Sequence, residues 1–422
     1  MSATEPATDP ATEQYDPYEA FGDLAGDVRD PWPELAAARR RAPVQKNSIF
    51  ALEGVEVPPD LPDEYTVYSY DLVSQVLRDN HTFSSEVYAA MMGPVMGHTI
   101  LEMDEPEHRR HRSLVAEAFR QKTLARWESE LVSAVVDELI DSLVDQGGGM
   151  ASAAGSGGRA ELVRQFTFPF PVQVIARILG LPRRDYPRFQ RWSLELISVG
   201  TDWDRGIAAS EKLRDYFKQI VDLRRAEPAD DLISDLAHAE IDGHTLSDEE
   251  IFAFLRLLLP AGVETTYRSS GNLLFGLLTH PDQLDAVRAD RALLPQAIEE
   301  GLRWEPPLHG IARVATVDTE LGGEAIKAGA VLSVAIGAAN RDETRYPDPD
   351  RFDIFRDPQQ HIAFGFGPHM CLGMHLARME TRVAVDALID RLPDLRLNPD
   401  GDDPHIRGQI FRSPTALPVL FG

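Results

Sequence analysis

The chain has 422 residues, 43% hydrophobic and 26% charged, which is enough apolar material for a large core in one domain or two. Its net charge of −26 opposes docking on nucleic acid or on an anionic membrane, since both would repel it. A lone cysteine, Cys371, excludes an internal disulfide framework and makes a reducing compartment, the cytoplasm, the expected location.

Residues 1–20 are polar and proline-rich and read as a disordered tail, without the basic start or apolar core of a signal peptide. Residues 21–422 read as one folded domain. "WPELAAARRRAP" predicts a helix and "EYTVYSY" a strand. "DQGGGMASAAGSGGRAE" reads as a flexible linker rather than a phosphate loop, because no strand precedes it and it contains no G-x-G-x-x-G. Ser247 and Glu250 form a capping box that starts a long helix running towards residue 279. That helix holds the longest apolar run, "FLRLLLPAGV", which Arg256 and Pro260 interrupt and which is too short to span a bilayer. Pro260, Gly262, Thr265 and Thr266 all weaken a regular helix, so a kink or widened turn is expected there. Further on, Glu300 and Arg303 share a helical face, by itself an ordinary ion pair. "AVLSVAIGAAN" looks like a strand. The fold class expected is mainly α with a minor β part, not a doubly wound sheet.

The stretch "FGFGPHMCLG" (364–373) holds the cysteine. Leu372, Leu376, Met379, Val383 and Leu388 follow at helical spacing, placing Cys371 at or just before a helix N-terminus, where the positive helix end stabilises a thiolate. A thiolate binds a metal or attacks an electrophile. Gly365, Gly367 and Gly373 permit a tight turn and the close approach of a large flat ligand. A buried, inert thiol, a zinc site from His369, Cys371 and His375 lacking its fourth ligand, and a Cys–His nucleophile pair are the alternatives.

"FGFGPHMCLG" resembles the haem-binding signature of the cytochrome P-450 family, F-x-x-G-x-x-x-C-x-G, with Phe364, Gly367, Cys371 and Gly373 at its fixed positions. The resemblance implies a single-domain fold with helices in a trigonal-prism arrangement around a buried haem b. It makes Cys371 the axial thiolate that pushes electron density onto iron and puts Phe364, Gly365, His369 and Gly373 against the haem. "EEGLR" and "PDRF" match the family's E-x-x-R and P-x-R-F, implying a buried structural network of Glu300, Arg303 and Arg351. "AGVET" matches its A/G-G-x-D/E-T. This implies Ala261 beside the haem, Thr265 on the oxygen side and Glu264 relaying protons from solvent. "DEPEHRRHR" matches D-x-P-E-H-x-x-x-R. By resemblance, His108 and Arg112, with Arg313 and His369, hold the haem propionates.

The function so implied is that of a soluble bacterial-type haem monooxygenase inserting one atom of O2 into an apolar small molecule: a terpenoid, steroid or aromatic compound. The chain carries no flavin, nicotinamide or iron–sulfur motif, so electrons are expected from a separate ferredoxin and ferredoxin reductase, docking over Arg109, Arg110, Arg112, Arg356 and Arg378. A peroxide-driven peroxygenase or a non-catalytic haem-binding sensor would not need Glu264 and Thr265. The substrate pocket implied is apolar: Val87, Tyr88, Met91, Met92, Val95, Leu194, Ile197, Leu257, Ala261, Leu308, Ile311, Ile410 and Phe411.

Overall fold

A computed structural model describes residues 26–49, 62–147, 157–197, 199, 202–241 and 243–422. The expected tail over residues 1–20 and the middle of the glycine-rich linker lie outside them. The principal helices are α1 (Trp32–Arg41), α2 (Tyr70–Arg78), α3 (Val87–Met96), α4 (Glu107–Ala116), α5 (Ser133–Gln146), α6 (Tyr186–Ile197), α7 (Trp203–Ala226), α8 (Asp248–Leu259), α9 (Thr265–Thr279), α10 (Leu294–Trp304) and α11 (Met374–Arg391). With short strands between them, they give the mainly α fold with a small β part that the sequence predicts.

The core is organised around α8 and α9. The Glu250 N–H donates to Ser247 Oγ at 3.3 Å and the Ser247 N–H donates back to Glu250 Oε2 at 2.7 Å, closing the capping box. Every residue from Ile251 to Leu259 is buried, so α8 is covered around its whole circumference, as a core helix must be. Pro260 has no N–H to continue the ladder, and the chain takes a π-helical turn over Pro260–Glu264 before α9 begins. This is the widened turn expected. Within it Ala261 is exposed while Val263 and Glu264 are buried, which lays one small side chain open in the middle of a covered helix. Behind the cysteine loop, α11 packs against α5, α9 and α10 through buried Leu376, Met379, Val385 and Leu388.

Five strands, β1 (Val44–Gln45), β2 (Glu64–Val67), β3 (Phe83–Ser84), β4 (Ile311–Ala315) and β5 (Val331–Val334), form a mixed sheet in the order β1-β2-β5-β4-β3. β2 and β5 run parallel, with Thr66 opposite Ser333, and the other pairs are antiparallel. The sheet covers a second core that includes Val67, Leu332, Val334 and Ile362, and β4 carries Arg313 to the site. Two expectations change. The strand in "AVLSVAIGAAN" ends at Val334, and Ile336–Asn340 is helical. The end of the linker, Gly158–Glu161, is a strand paired with Pro418–Phe421, and a Cβ on Gly158 would lie 2.2 Å from the Phe421 ring. That glycine makes room for an aromatic ring. Among the described residues no helix is long and apolar enough to cross a membrane.

Candidate active site

The cysteine loop is shaped by two left-handed glycines, Gly365 (φ +71°) and Gly367 (φ +73°). A Cβ on Gly367 would meet the Leu77 carbonyl oxygen of α2 at 2.4 Å, so sterics and dihedral both demand glycine there. The Cys371 N–H donates to the Phe364 carbonyl at 2.8 Å, closing the loop, and Arg112 reaches over from α4 to donate to the Met370 carbonyl. Gly373 differs: its φ is −84° and a Cβ there would meet nothing within 4 Å. It turns nothing and instead leaves a cradle open beside Cys371, whose side chain is exposed. Burial within the surrounding protein nonetheless pushes the Cys371 thiol up, against the smaller pull of the Gly373 N–H and of Arg112 and Arg378. Desolvation thus outweighs the N–H groups at the helix end that the sequence places beside the thiol.

Four donors gather next to this loop. His108 on α4 and His369 in the loop lie ring against ring, centroids 4.0 Å apart and tilted by 31°, and His108 is 1% exposed. Both His108 ring nitrogens and His369 Nε2 lack a hydrogen-bond partner among the described residues. Burial, then Arg313, His108 and Arg112, depress His369 to about 3, and burial, then Arg112, lowers His108. Arg313, 4% exposed, spends one bond on the Ala312 carbonyl. Glu105 Oε1 comes no closer than 3.7 Å to His108 Nδ1, so these buried ring nitrogens, unbonded and set between two arginines, are a donor set that wants an anion. A cofactor with two carboxylates, a flat body and a thiol-seeking metal fits these residues.

On the other side, Thr265 Oγ1 donates to the Ala261 carbonyl at 2.7 Å. Its hydrogen is committed, and its lone pairs remain as acceptors. Glu264, one residue earlier and expected to relay protons, is buried, 1% exposed. Its Oε1 accepts from Arg268 Nη2 and Nε at 2.5 and 2.6 Å and from the Tyr267 hydroxyl at 3.2 Å. Arg268 is tied onward to Ser413 Oγ at 2.9 Å. Glu264 Oε2 has no hydrogen-bond partner among the described residues.

The structural network requires one correction. Arg303 donates to both oxygens of Glu300 at 2.7 and 2.8 Å, but Arg351 does not join them. Its side chain is 65% exposed, and only its carbonyl takes part, accepting from Arg303 at 3.2 Å. The third arginine is Arg356, whose Nε lies 3.4 Å from Glu300 Oε1 and whose other nitrogens donate to the carbonyls of Pro347, Asp348 and Arg351. Arg356 is therefore no docking residue. Neither is Arg112, which is committed to the loop. Arg378 is largely neutralised by Glu299 at 2.6 and 2.7 Å and lies over the Phe364 ring. Of the five arginines expected on the docking face, Arg109 and Arg110 are exposed, and Arg109 has Glu105 at 3.2 Å.

The pocket residues fall into three groups. Ala261 lies in the turn and Leu257 one turn before it on α8, while Met92, on α3, packs against the main core. Leu194 packs with Phe168 and Tyr267, and Leu308 pairs with Phe411 in a β-bridge beside Ile410. Others point elsewhere. Val95 is fully buried in the main core, Ile311 packs against the sheet core, and Met91 is half exposed. Tyr88 turns its hydroxyl to accept the Ala312 N–H at 2.9 Å, beside Arg313. Val87 is half-buried, and the Ile197 side chain lies outside the described residues. Arg268 was missed, although its i,i+4 spacing from Glu264 was visible. Nothing in the sequence marks Glu380, which is 2% exposed on α11, with Oε1 lacking a hydrogen-bond partner among the described residues.

A cysteine loop, an anion-seeking donor cluster and a widened helical turn on one framework define a haem-thiolate oxygenase. Comparison with known proteins agrees. A family model described as cytochrome P-450 matches residues 189–417. The cytochrome P-450 monooxygenase PikC of Streptomyces venezuelae is 35% identical over 98% of this chain and 96% of its own length. The erythromycin C-12 hydroxylase of Saccharopolyspora erythraea is 38% identical over 87% of this chain and 92% of its own. The solved structure of CYP109E1 from Bacillus megaterium in complex with testosterone matches with a TM-score of 0.81 at 32% identity, covering 93% of this chain and 99% of that one. The chain belongs to the cytochrome P-450 family and is a monooxygenase that uses haem, with Cys371, its only cysteine, supplying the axial thiolate.

Proposed function

We propose that the protein hydroxylates a bulky, apolar, steroid- or terpenoid-sized molecule with electrons from a separate acidic ferredoxin and its reductase, in the cytoplasm. The reaction is R–H + O2 + 2 electrons + 2 protons → R–OH + H2O. Bound haem supplies the iron at which O2 is activated, and the thiolate donates the electron density that favours O–O cleavage. His108, Arg112, Arg313 and His369 would hold its carboxylates, and Gly373 and Ala261 would leave room for its faces.

The carrying observation is the turn at Pro260–Glu264. It opens Ala261, and Thr265 Oγ1, with its own hydrogen given to the Ala261 carbonyl, stands ready to accept a proton-bearing water or hydroxyl. Glu264 stores a carboxylate next to it, and a proton can pass from solvent only when that carboxylate swings away from Arg268. Apolar side chains from α3, α6 and α8 keep bulk water out of the surroundings. A relative named for erythromycin and a neighbour solved with testosterone support a large, largely apolar substrate. Ferredoxin would dock at the exposed Arg109 and Arg110 on α4, and its grip would weaken with salt.

The test is a spectral titration of the holoprotein with steroids, terpenoids, aromatics and fatty acids. A saturable blue shift of the Soret band for a steroid or terpenoid supports the proposal, and a response confined to fatty acids overturns it.

A further inference from the structure

Arg256 interrupts the apolar run of α8, yet it is 8% exposed and makes no ion pair among the described residues. Buried charge is normally paired, since desolvation is otherwise too costly. Its donors go elsewhere. Nε donates to the Phe252 carbonyl at 3.2 Å, and Nη1 donates to Ser210 Oγ on α7 at 3.0 Å and to the Val95 carbonyl on α3 at 3.4 Å. Ser210 Oγ donates to that same Val95 carbonyl. A cation thus meets the negative C-terminal end of α3, which compensates part of its burial.

α3 needs such fastening. "VYAAMMGPVM" holds Gly93 and Pro94 in its last turn, and proline removes an intrahelical bond there. Its middle, Ala89 to Met91, is exposed. Its other end is held by Tyr88, whose hydroxyl accepts from the Ala312 N–H at 2.9 Å. Gly97, just past the helix with φ +83°, has Arg256 Nη2 3.0 Å from where a Cβ would sit, so the guanidinium fills the turn that ends α3. The segment is a strap pinned near each end and packed on α7 and α8.

We infer that Arg256, with Ser210, is a positioning residue that pins the C-terminal end of α3 to α7 and α8, and so sets how fast a bulky substrate enters and leaves. This rests on the proposed placement of α3 at the substrate site. Docked, α3 gives Arg256 an acceptor; lifted, it exposes the guanidinium to water, which offsets part of the lost bonds. The strap can therefore open repeatedly without the domain unfolding.

Two readouts on the holoprotein test it: hydrogen exchange of residues 87–97, and stopped-flow binding of imidazole and of 4-phenylimidazole, a small and a bulky ligand for haem iron. Loss of one charge-assisted bond corresponds to about a tenfold change in a local opening equilibrium. Arg256→Met should therefore raise exchange over 87–97 by about tenfold, with α11 unchanged. It should also speed both association and dissociation of 4-phenylimidazole while leaving imidazole unaffected. Ser210→Ala should move both readouts the same way, less strongly, and Arg256→Lys, which keeps a donor, should recover part of the effect. Unchanged exchange over 87–97, or an equal rise in α11, overturns the pinning role. Faster exchange with unaltered 4-phenylimidazole rates keeps the pin and overturns the placement of α3 at the substrate site.

Discussion

Replacing Arg356 by alanine should cost the protein its haem, whereas the same change at Arg351 should not. Glu300 is 4% exposed in its side chain, and its Oε1 accepts from Arg303 at 2.8 Å, from the Asp353 N–H at 2.9 Å and, more weakly, from Arg356 at 3.4 Å. Arg356 also gathers three carbonyls of the 347–351 segment, so truncation strips a buried carboxylate of one cation and frees the loop that leads to the cysteine. Removing one partner of a buried pair costs about 3–5 kcal/mol; because Glu300 keeps Arg303, about 3 kcal/mol is the fitting magnitude. Arg351 faces solvent and approaches Asp353 only at 3.9 Å, so its removal should cost less than about 0.5 kcal/mol. The assay is the ratio of Soret to protein absorbance after purification, alongside the thermal midpoint of each variant. A haem-poor Arg351→Ala beside a haem-replete Arg356→Ala would refute the assignment.

Glu380 carries a pH signature: burial raises its carboxyl from 4.5 to about 8. The folded state then holds a proton that the unfolded state has lost, so stability should fall as pH rises from about 4.5 to about 8 and level off above, by about 2 kcal/mol between pH 6 and pH 8. Glu380→Gln should abolish that component, which denaturant unfolding of the holoprotein at the two pH values will show. Gly367→Ala should lower thermal stability and haem content together through its clash with Leu77, while Gly373→Ala should melt normally yet bind haem less tightly, because its Cβ fills the cradle. Thr265→Ala should raise peroxide release per O2 consumed and lower product, whereas a peroxygenase fed hydrogen peroxide would keep its rate. Reversing the charge of Arg109 and Arg110 should slow reduction by ferredoxin and flatten its salt dependence; unchanged reduction kinetics would remove the docking face.

The parts of the site legible in the sequence are those whose chemistry is local. The cysteine loop, the capping box at Ser247 and the break at Pro260 are each set by a few adjacent residues, and the structure has the box and the break where the residues place them. What escaped depends on tertiary burial. Arg351 and Arg356 lie in one short segment, and which turns inward is decided by Arg303 donating to the Arg351 backbone carbonyl, which leaves the Arg351 side chain outside. The thiol of Cys371 is raised because burial exceeds the helix-end effect, and burial is not written in the loop. Arg268, one turn along, closes over Glu264, a contact that the A-G-x-E-T pattern alone does not contain. Arg256 looked like a mere interruption because its acceptors lie 46 and 161 residues away in the chain. Gly158 looked flexible because Phe421, the ring it accommodates, is at the other end of the sequence.

The most direct test of the central claim is the reduced carbon-monoxide difference spectrum of the wild-type holoprotein beside Cys371→Ser. The account predicts the long-wavelength Soret band of thiolate-ligated haem in the wild type and its loss in the variant, with some haem still held by His108, Arg112, Arg313 and His369. The same band position in both proteins would contradict it, because the iron would then take its ligand from a residue other than Cys371.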